Sequence, residues 1–318
     1  MELYVWGTGC GAGELIDRGL DPARITAFLD GEGRGGCFLG RPVLPPEALV
    51  GRRADLILVA SRRAEEIARK AEELGIPREK LLFLKNNWTL LDRNRSYDAA
   101  APLLPAALLR ELRRPQHPVR DPLWAEDSAL SPRDLENDYV RLRTLEALCR
   151  RLEGVPGAAA ELGVYRGGFA ASINALLPER ELYLFDTFSG FDPAEASGEA
   201  EGLVEAHRNT DQARILSLMP HPERVVLRPG LFPATALGLE AERFALVSLD
   251  ADLEESTHRG LGWFWPRLAP GGFLLLHDWA NPRLPGVKRA LARYEEQLGS
   301  RLPAVPLCDV CGSLILPK

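Results

Sequence analysis

The chain has 318 residues, 46% of them hydrophobic and 26% charged, a globular balance that excludes a disordered or fibrous polypeptide and leaves room for two domains. A formal net charge of −6 supplies no general basic field, which excludes a protein that grips nucleic acid by neutralising many phosphates. Met1-Glu2-Leu3-Tyr4-Val5-Trp6 lacks the basic start and apolar core of a secretory signal, and no apolar run reaches the ~18 residues of a membrane span. A cytoplasmic protein with no membrane partner is expected.

Residues 1–85 alternate strand and helix. Residues 3–6 read as an apolar strand, Gly7-Thr8-Gly9-Cys10-Gly11-Ala12-Gly13 as a glycine-rich turn into a helix, and residues 25–29 as a strand ending at Asp30. After a proline-rich stretch come a buried-type strand at 55–60, an amphipathic helix at 65–74 closed by Gly75 and Pro77, and a strand at 81–84. This pattern predicts a small Rossmann-like α/β domain with a parallel sheet. Residues 86–130 lose the rhythm to prolines 102, 105, 115, 118 and 122, so the linker is placed there, with one helix around 106–113.

The second domain is expected over 131–318. Ser131 caps a helix with Pro132 at its first position, and Leu135, Tyr139, Leu142, Leu145 and Leu148 form its apolar face. Strands follow at 158–162, 181–185, 224–227, 244–249 and 272–276, with helices at 169–177, 257–268 and 287–298 and two short strands near Val305 and at 313–316.

Both halves place glycines after a strand, where backbone can approach a ligand. Gly7-x-Gly9-x-x-Ala12 with Asp30 resembles a dinucleotide turn, and a tight structural connection is the favoured reading of it. In the second half, Glu161-Leu162-Gly163-Val164-Tyr165-Arg166-Gly167-Gly168 precedes Asp186 at the next strand tip. Carboxylates there favour a sulfonium cation and sugar hydroxyls and repel a pyrophosphate, which points to S-adenosylmethionine.

Later strands also run straight into acids, at Asp250-Ala251-Asp252 and His277-Asp278. Carboxylates converging on one edge repel each other unless a cation sits among them. A magnesium ion on Asp250 and Asp278, with His277 as a further donor, relieves that repulsion; Asp278 as a loop cap is the plainer reading.

These blocks, together with Leu184-Phe185-Asp186-Thr187-Phe188-Ser189-Gly190-Phe191-Asp192, Pro266-Arg267-Leu268-Ala269-Pro270-Gly271-Gly272-Phe273 and Gly286-Val287-Lys288-Arg289-Ala290, resemble the macrocin O-methyltransferase family of the TylF/MycF type. The resemblance runs from about Ser131 to the end. It implies a mostly parallel, seven-stranded class I methyltransferase sheet with an antiparallel last strand, S-adenosylmethionine as cosubstrate, a divalent metal, and methylation of a hydroxyl on a sugar of a natural product or surface polysaccharide. It further implies that Glu161, Gly163, Tyr165, Arg166 and Gly167 line the methionyl part and that Asp186, beside Thr187 and Phe188, takes the ribose. Gly230, Leu231 and Phe232 would lie near adenine, and Asp250 would touch cosubstrate and metal and act as general base. The sequence departs from that pattern in carrying His277-Asp278 for a frequent Asp-Asp pair and Glu254 where a tyrosine is usual.

The remaining features have bland readings. Cys308 and Cys311 form a CxxC without the second pair of a structural zinc site. His207, His221 and His258 are expected at the surface, and Trp263, Phe264 and Trp265 in the core or a subunit contact. The partner is a small-molecule or glycan acceptor, with a homo-oligomer left open. Two rivals remain: a nucleotide-sugar or dinucleotide-binding protein working through residues 1–85 with a degenerate second domain, and a non-catalytic assembly protein.

Overall fold

The computed structural model describes residues 2–31, 35–61, 63–83, 105–106, 139–197, 204–205, 207–208, 210–309 and 311–318. The linker expected at 86–130 and the helix start at Ser131 lie outside these residues, apart from 105–106. The chain divides into two compact units, Met1–Leu123 with Gly198–Asn209, and Trp124–Ser197 with Thr210–Lys318. The short segment 198–209 thus belongs to the first unit, a division the chain order alone does not suggest.

The first unit is built on β1 (Leu3–Trp6), β2 (Ala27–Leu29), β3 (Gly36–Phe38), β4 (Arg41–Leu44), β5 (Leu56–Val59) and β6 (Leu81–Phe83), in the order β3-β4-β2-β1-β5-β6. All neighbours run parallel except the β3–β4 hairpin. Helices α1 (Cys10–Asp17) and α2 (Ala64–Glu73) belong to the same unit. Alternate residues serve opposite faces: Leu3, Val5, Phe28 and Leu58 pack into one core, and Tyr4, Trp6, Leu29, Ile57 and Val59 into the other. Burial on both faces is why these strands read as unbroken apolar runs. The β3–β4 hairpin falls in the stretch that the sequence marks only as proline-rich; its strands are three and four residues long and carry Gly36 and Pro42, which weaken the strand pattern. His207 is half-buried, with Nε2 3.8 Å from the Cys10 sulfur, so the surface expectation fails for it.

In the second unit α3 (Tyr139–Arg151) leads into β7 (Ala158–Leu162), α4 (Gly168–Leu176), β8 (Leu182–Asp186), α5 (Gln212–Leu218) and β9 (Val225–Pro229). Then follow β10 (Phe244–Leu249), α6 (Glu254–Phe264), β11 (Leu268–Leu276), α7 (Pro285–Leu298), β12 (Val305–Pro306) and β13 (Leu314–Pro317). The seven-stranded sheet has the order β12-β13-β11-β10-β7-β8-β9. Its five central and outer strands from β11 to β9 are parallel, while β13 runs antiparallel to both β11 and β12. Two sheets of this make, the second mostly parallel with an antiparallel end strand, are the architecture the sequence predicts.

Local chemistry fixes the boundaries. Pro285 opens α7 and Gly299, left-handed at φ +67°, closes it. Arg180, between α4 and β8, holds the connection from α3 to β7 by donating to the carbonyls of Leu152 at 2.9 Å and Val155 at 2.7 Å. Leu145, Leu148 and Leu152 of that segment pack with Ala159, Ile173, Leu184 and Leu246 on one side of the sheet. Beyond that core, Phe185, Phe232, Phe244, Trp263 and Phe264 interlock with ring centroids 4.8–6.4 Å apart, so this aromatic run is core as expected. Among the described residues no helix is long and apolar enough to cross a membrane.

Register places the site. Leu249 lies opposite both Leu162 and Leu276, and Leu162 opposite Phe185, so β7, β8, β10 and β11 end at one level. The chain then continues this pairing past the strands: Asp250 N–H donates to the Leu162 carbonyl at 2.8 Å and His277 N–H to the Leu249 carbonyl at 3.0 Å. Gly163, at φ +88°, passes so close to Asp250 that any side-chain carbon would overlap its carbonyl oxygen. Gly163→Ala is therefore expected to cost about 2–4 kcal/mol, combining left-handed strain with overpacking, read as a fall in urea midpoint at unchanged slope.

Candidate active site

Four loops meet at the carboxyl edge of the second sheet. After β7 comes the glycine turn, after β8 the Asp186 loop, after β10 Asp250 to Leu253, and after β11 His277 to Asn281. Of five described non-glycine residues with positive φ, four sit in these loops: Tyr165 (52°), Phe188 (53°), Asp252 (61°) and Asp278 (58°). Such clustering of costly backbone marks a place where side-chain direction is held against local preference.

The sequence expectation for Asp186 gains a second role. Its Oδ2 accepts from the N–H groups of Val164 at 2.8 Å and Tyr165 at 3.0 Å, and Oδ1 from Phe188 N–H at 2.8 Å. One carboxylate thus locks the glycine turn to its own loop. Gly230 joins the same edge by donating to the Asp186 carbonyl at 2.9 Å. Gly167, at φ +78°, starts α4, with Arg166 beside the Tyr165 ring at 5.3 Å and Thr187 Oγ1 bonded to the Gly190 carbonyl. Leu231 is exposed, whereas Phe232 is buried with its ring packed into the aromatic core.

Glu161, on β7, is 1% exposed, and its Oε2 has no hydrogen-bond partner. Burial, reinforced by the nearby charge of Asp250, pushes its pKa well above the ordinary carboxylate range, against the pull of Arg141. Burial of this kind favours the neutral acid and leaves the anion to be stabilised only by a cation brought beside it.

Asp250 faces the opposite situation. Burial opposes its charge, but His277 and Arg141 outweigh that and hold its pKa well below normal. Arg141, from the first turn of α3, donates from Nη2 to Asp250 Oδ2 at 3.1 Å while its guanidinium lies 3.8 Å from the Phe169 ring centre. His277 Nδ1 stands 2.8 Å from Asp250 Oδ1 and 2.6 Å from Asp278 Oδ2, close ion-pair distances at which its N–H is not aligned for a hydrogen bond to either. Burial and Arg141 lower the pKa of His277, yet the two carboxylates prevail and raise it well above the usual value. Asn281 completes the group by donating to Asp278 Oδ1 at 2.6 Å.

Two donor clusters share Asp278. Asp250, Asp252 and Asp278 bring three oxygens within 4.8 Å of one another, and His277, Asp278 and Cys311 bring nitrogen, oxygen and sulfur within the same distance. The all-oxygen group suits a hard divalent ion such as magnesium. Arg141, Asp252 and Cys311 are the participants that sequence reasoning did not place in the site. Asp252 lay in a quoted motif, while Arg141 and Cys311 offered no local signal.

The sequence from residue 139 to residue 311 matches the family model for macrocin-O-methyltransferase (TylF). The chain belongs to that family. Among macrocin-O-methyltransferase relatives it is 33% identical over 143 residues to the 8-demethyl-8-(2,3-dimethoxy-alpha-L-rhamnosyl)-tetracenomycin-C 4'-O-methyltransferase of Streptomyces olivaceus, covering 40% of this chain and 55% of that protein. It is 27% identical over 169 residues to the mycinamicin III 3''-O-methyltransferase of Micromonospora griseorubida, covering 46% and 63%. The chain thus spans between about half and two thirds of the length of these curated relatives. Among solved structures, the O-methyltransferase NovP aligns at 22% identity with a TM-score of 0.46, over 56% of this chain and 79% of that one.

The glycine turn of the first unit has a packing cause. Side-chain carbons at Gly7 or Gly11 would press on the Ala60 carbonyl, and Asp30 accepts a hydrogen bond from the Thr8 hydroxyl.

Glu161 supplies a pH test. The folded chain keeps this proton to higher pH than the unfolded chain, so Glu161 lowers stability progressively as pH climbs from the ordinary carboxylate range through its raised pKa. Glu161→Gln is expected to melt above the parent protein at pH 8, with the gap closing toward pH 4, as followed by circular dichroism.

Proposed function

We propose that this protein transfers a methyl group from S-adenosylmethionine to a hydroxyl of a sugar on a natural product or glycan precursor, assisted by a divalent ion such as magnesium. The observation that carries this reading is the buried, partnerless carboxylate of Glu161 on the edge of a sheet with methyltransferase strand order. A group that costs folding free energy in isolation fits a site completed by a cationic ligand. The two relatives' names specify methylation at a 4'-oxygen of a rhamnosyl tetracenomycin and a 3''-oxygen of mycinamicin III, which supports a sugar hydroxyl as acceptor here.

S-adenosylmethionine supplies an electrophilic methyl on a positively charged sulfur. Glu161 would face its cationic end, and Gly163, Tyr165, Arg166 and Gly167 form the turn alongside; Asp186, with Thr187 and Phe188, stands where the ribose hydroxyls would reach. Gly230 and Leu231 border the adenine end. A divalent ion on Asp250, Asp252 and Asp278, with His277 adjacent, would lower the pKa of the acceptor hydroxyl. Asp250 is held anionic by His277 and Arg141, so it accepts a hydrogen bond from that hydroxyl and aims its oxygen along the line of methyl transfer. Its depressed pKa makes it a weak base, so its contribution is orientation before proton removal. Soluble cytoplasmic action on a small-molecule or glycan acceptor is part of the same proposal.

Isothermal titration of the full chain with S-adenosylmethionine should show micromolar binding that Glu161→Gln weakens; absence of heat in the parent protein removes the proposal. Asp250→Asn should abolish release of S-adenosylhomocysteine with a panel of rhamnosyl glycosides while changing cosubstrate affinity by less than about threefold. An unchanged rate takes Asp250 out of the mechanism.

A further inference from the structure

His277 is 7% exposed, and its Nε2 makes no hydrogen bond. A buried imidazole nitrogen without a partner forfeits a hydrogen bond it would have made in water, a cost that calls for a ligand. Within 4.8 Å of one of the two imidazole nitrogens lie one oxygen of Asp278 and the sulfur of Cys311. Nitrogen, carboxylate oxygen and sulfur together differ from the oxygens that hold magnesium: imidazole and thiolate favour zinc and its neighbours in the first transition row.

The fold brings Cys311 there by several separate devices. Antiparallel pairing sets Leu276 opposite Leu314, which aligns the end of β11 with the start of β13 and carries the preceding turn over His277 and Asp278. Asp309 closes that turn by accepting from the Ser313 N–H at 2.7 Å and from its hydroxyl at 2.5 Å. The Ala280 N–H then donates to the Gly312 carbonyl at 2.8 Å, tying the turn to the loop after β11. Gly312, at φ +70°, packs so tightly on Ala280 that no side chain fits. A cysteine held in this manner against a histidine and an aspartate is not a chance surface thiol. Cys308, its partner in the CxxC, is exposed and outside the cluster.

We infer that His277, Asp278 and Cys311 form a mixed nitrogen, oxygen and sulfur site that binds a zinc-class divalent ion in preference to magnesium. This rests on the reading that a divalent ion serves this edge of the sheet, and it names which kind. The three ligand atoms lie within 4.8 Å of one another, a spread that side-chain rotation can bring to the separation of ligands around one zinc ion. Binding displaces two protons to solvent, the Cys311 thiol proton and the Nε2 proton of His277, and leaves a thiolate and a neutral imidazole as ligands. Asp250, 2.8 Å from His277 through Oδ1, stands next to the ion as a fourth donor or as the group that meets the acceptor hydroxyl.

The experiment is cobalt titration of the full chain after removal of metal by chelation. A single equivalent of Co2+ should produce the near-ultraviolet thiolate-to-cobalt band and the intense visible absorption of a tetrahedral ion; stoichiometric zinc should erase both, and excess magnesium should not. Cys311→Ser should lose the band and weaken zinc binding at least about tenfold, whereas Cys308→Ser should keep both. In the unmodified protein, zinc should protect Cys311 from alkylation, as mapped by mass spectrometry, which makes the result independent of any variant's folding. Cobalt or magnesium binding without a thiolate band overturns the mixed site and leaves the divalent-ion reading in place. A band that survives Cys311→Ser also overturns it. If no ion binds, both readings fall, and the S-adenosylmethionine titration alone then judges methyl transfer.

Discussion

Everything in the second unit turns on a balance of charge at one strand edge. Parallel register ends β7, β8, β10 and β11 at the same height, and each strand runs into an acid there, so repulsion is built into the fold. Arg141 and His277 offset part of it at Asp250 and Asp278, and the peptide N–H groups of Val164, Tyr165 and Phe188 offset it at Asp186. Glu161 receives no such partner. Of the four strand-edge acids Glu161, Asp186, Asp250 and Asp278, Glu161 alone has its buried oxygen left without a partner.

The rim shows how different these acids are despite similar sequence surroundings. Asp186 works on backbone, shaping the loop in which a ligand would sit. Asp250 works as a fixed anion between a guanidinium and an imidazole. Asp278 is shared between an oxygen cluster and a softer one that includes sulfur. Proximity in space, with only small differences in partner, separates the functions of residues that all appear as an acid after an apolar strand.

Much of this was legible in the chain itself. Apolar strands ending at Glu161, Asp186, Asp250 and Asp278, each followed by glycine or a turn, announce a parallel sheet and its ligand edge, because strand period and strand end are local properties. Arg141 was not legible: it lies next to the apolar face of α3, and its partner Asp250 is 109 residues away. Cys311 offered only its place in a CxxC without a second pair; that its turn folds onto the loop after β11 depends on β11–β13 register. Phe232 shows a related limit, since a ring near a ligand edge and a ring packed in the aromatic core look alike until packing is known. The β3–β4 hairpin failed through shortness alone.

The left-handed backbone at Tyr165, Phe188, Asp252 and Asp278 has a consequence for how this family can diversify. Aspartate tolerates that conformation because its short polar side chain can bond locally, but valine, isoleucine and threonine at such points pay steeply. Drift at these four places is confined to a narrow alphabet, whatever the acceptor. Change in these loops is then left to the spans between the four points, around a backbone frame that stays fixed.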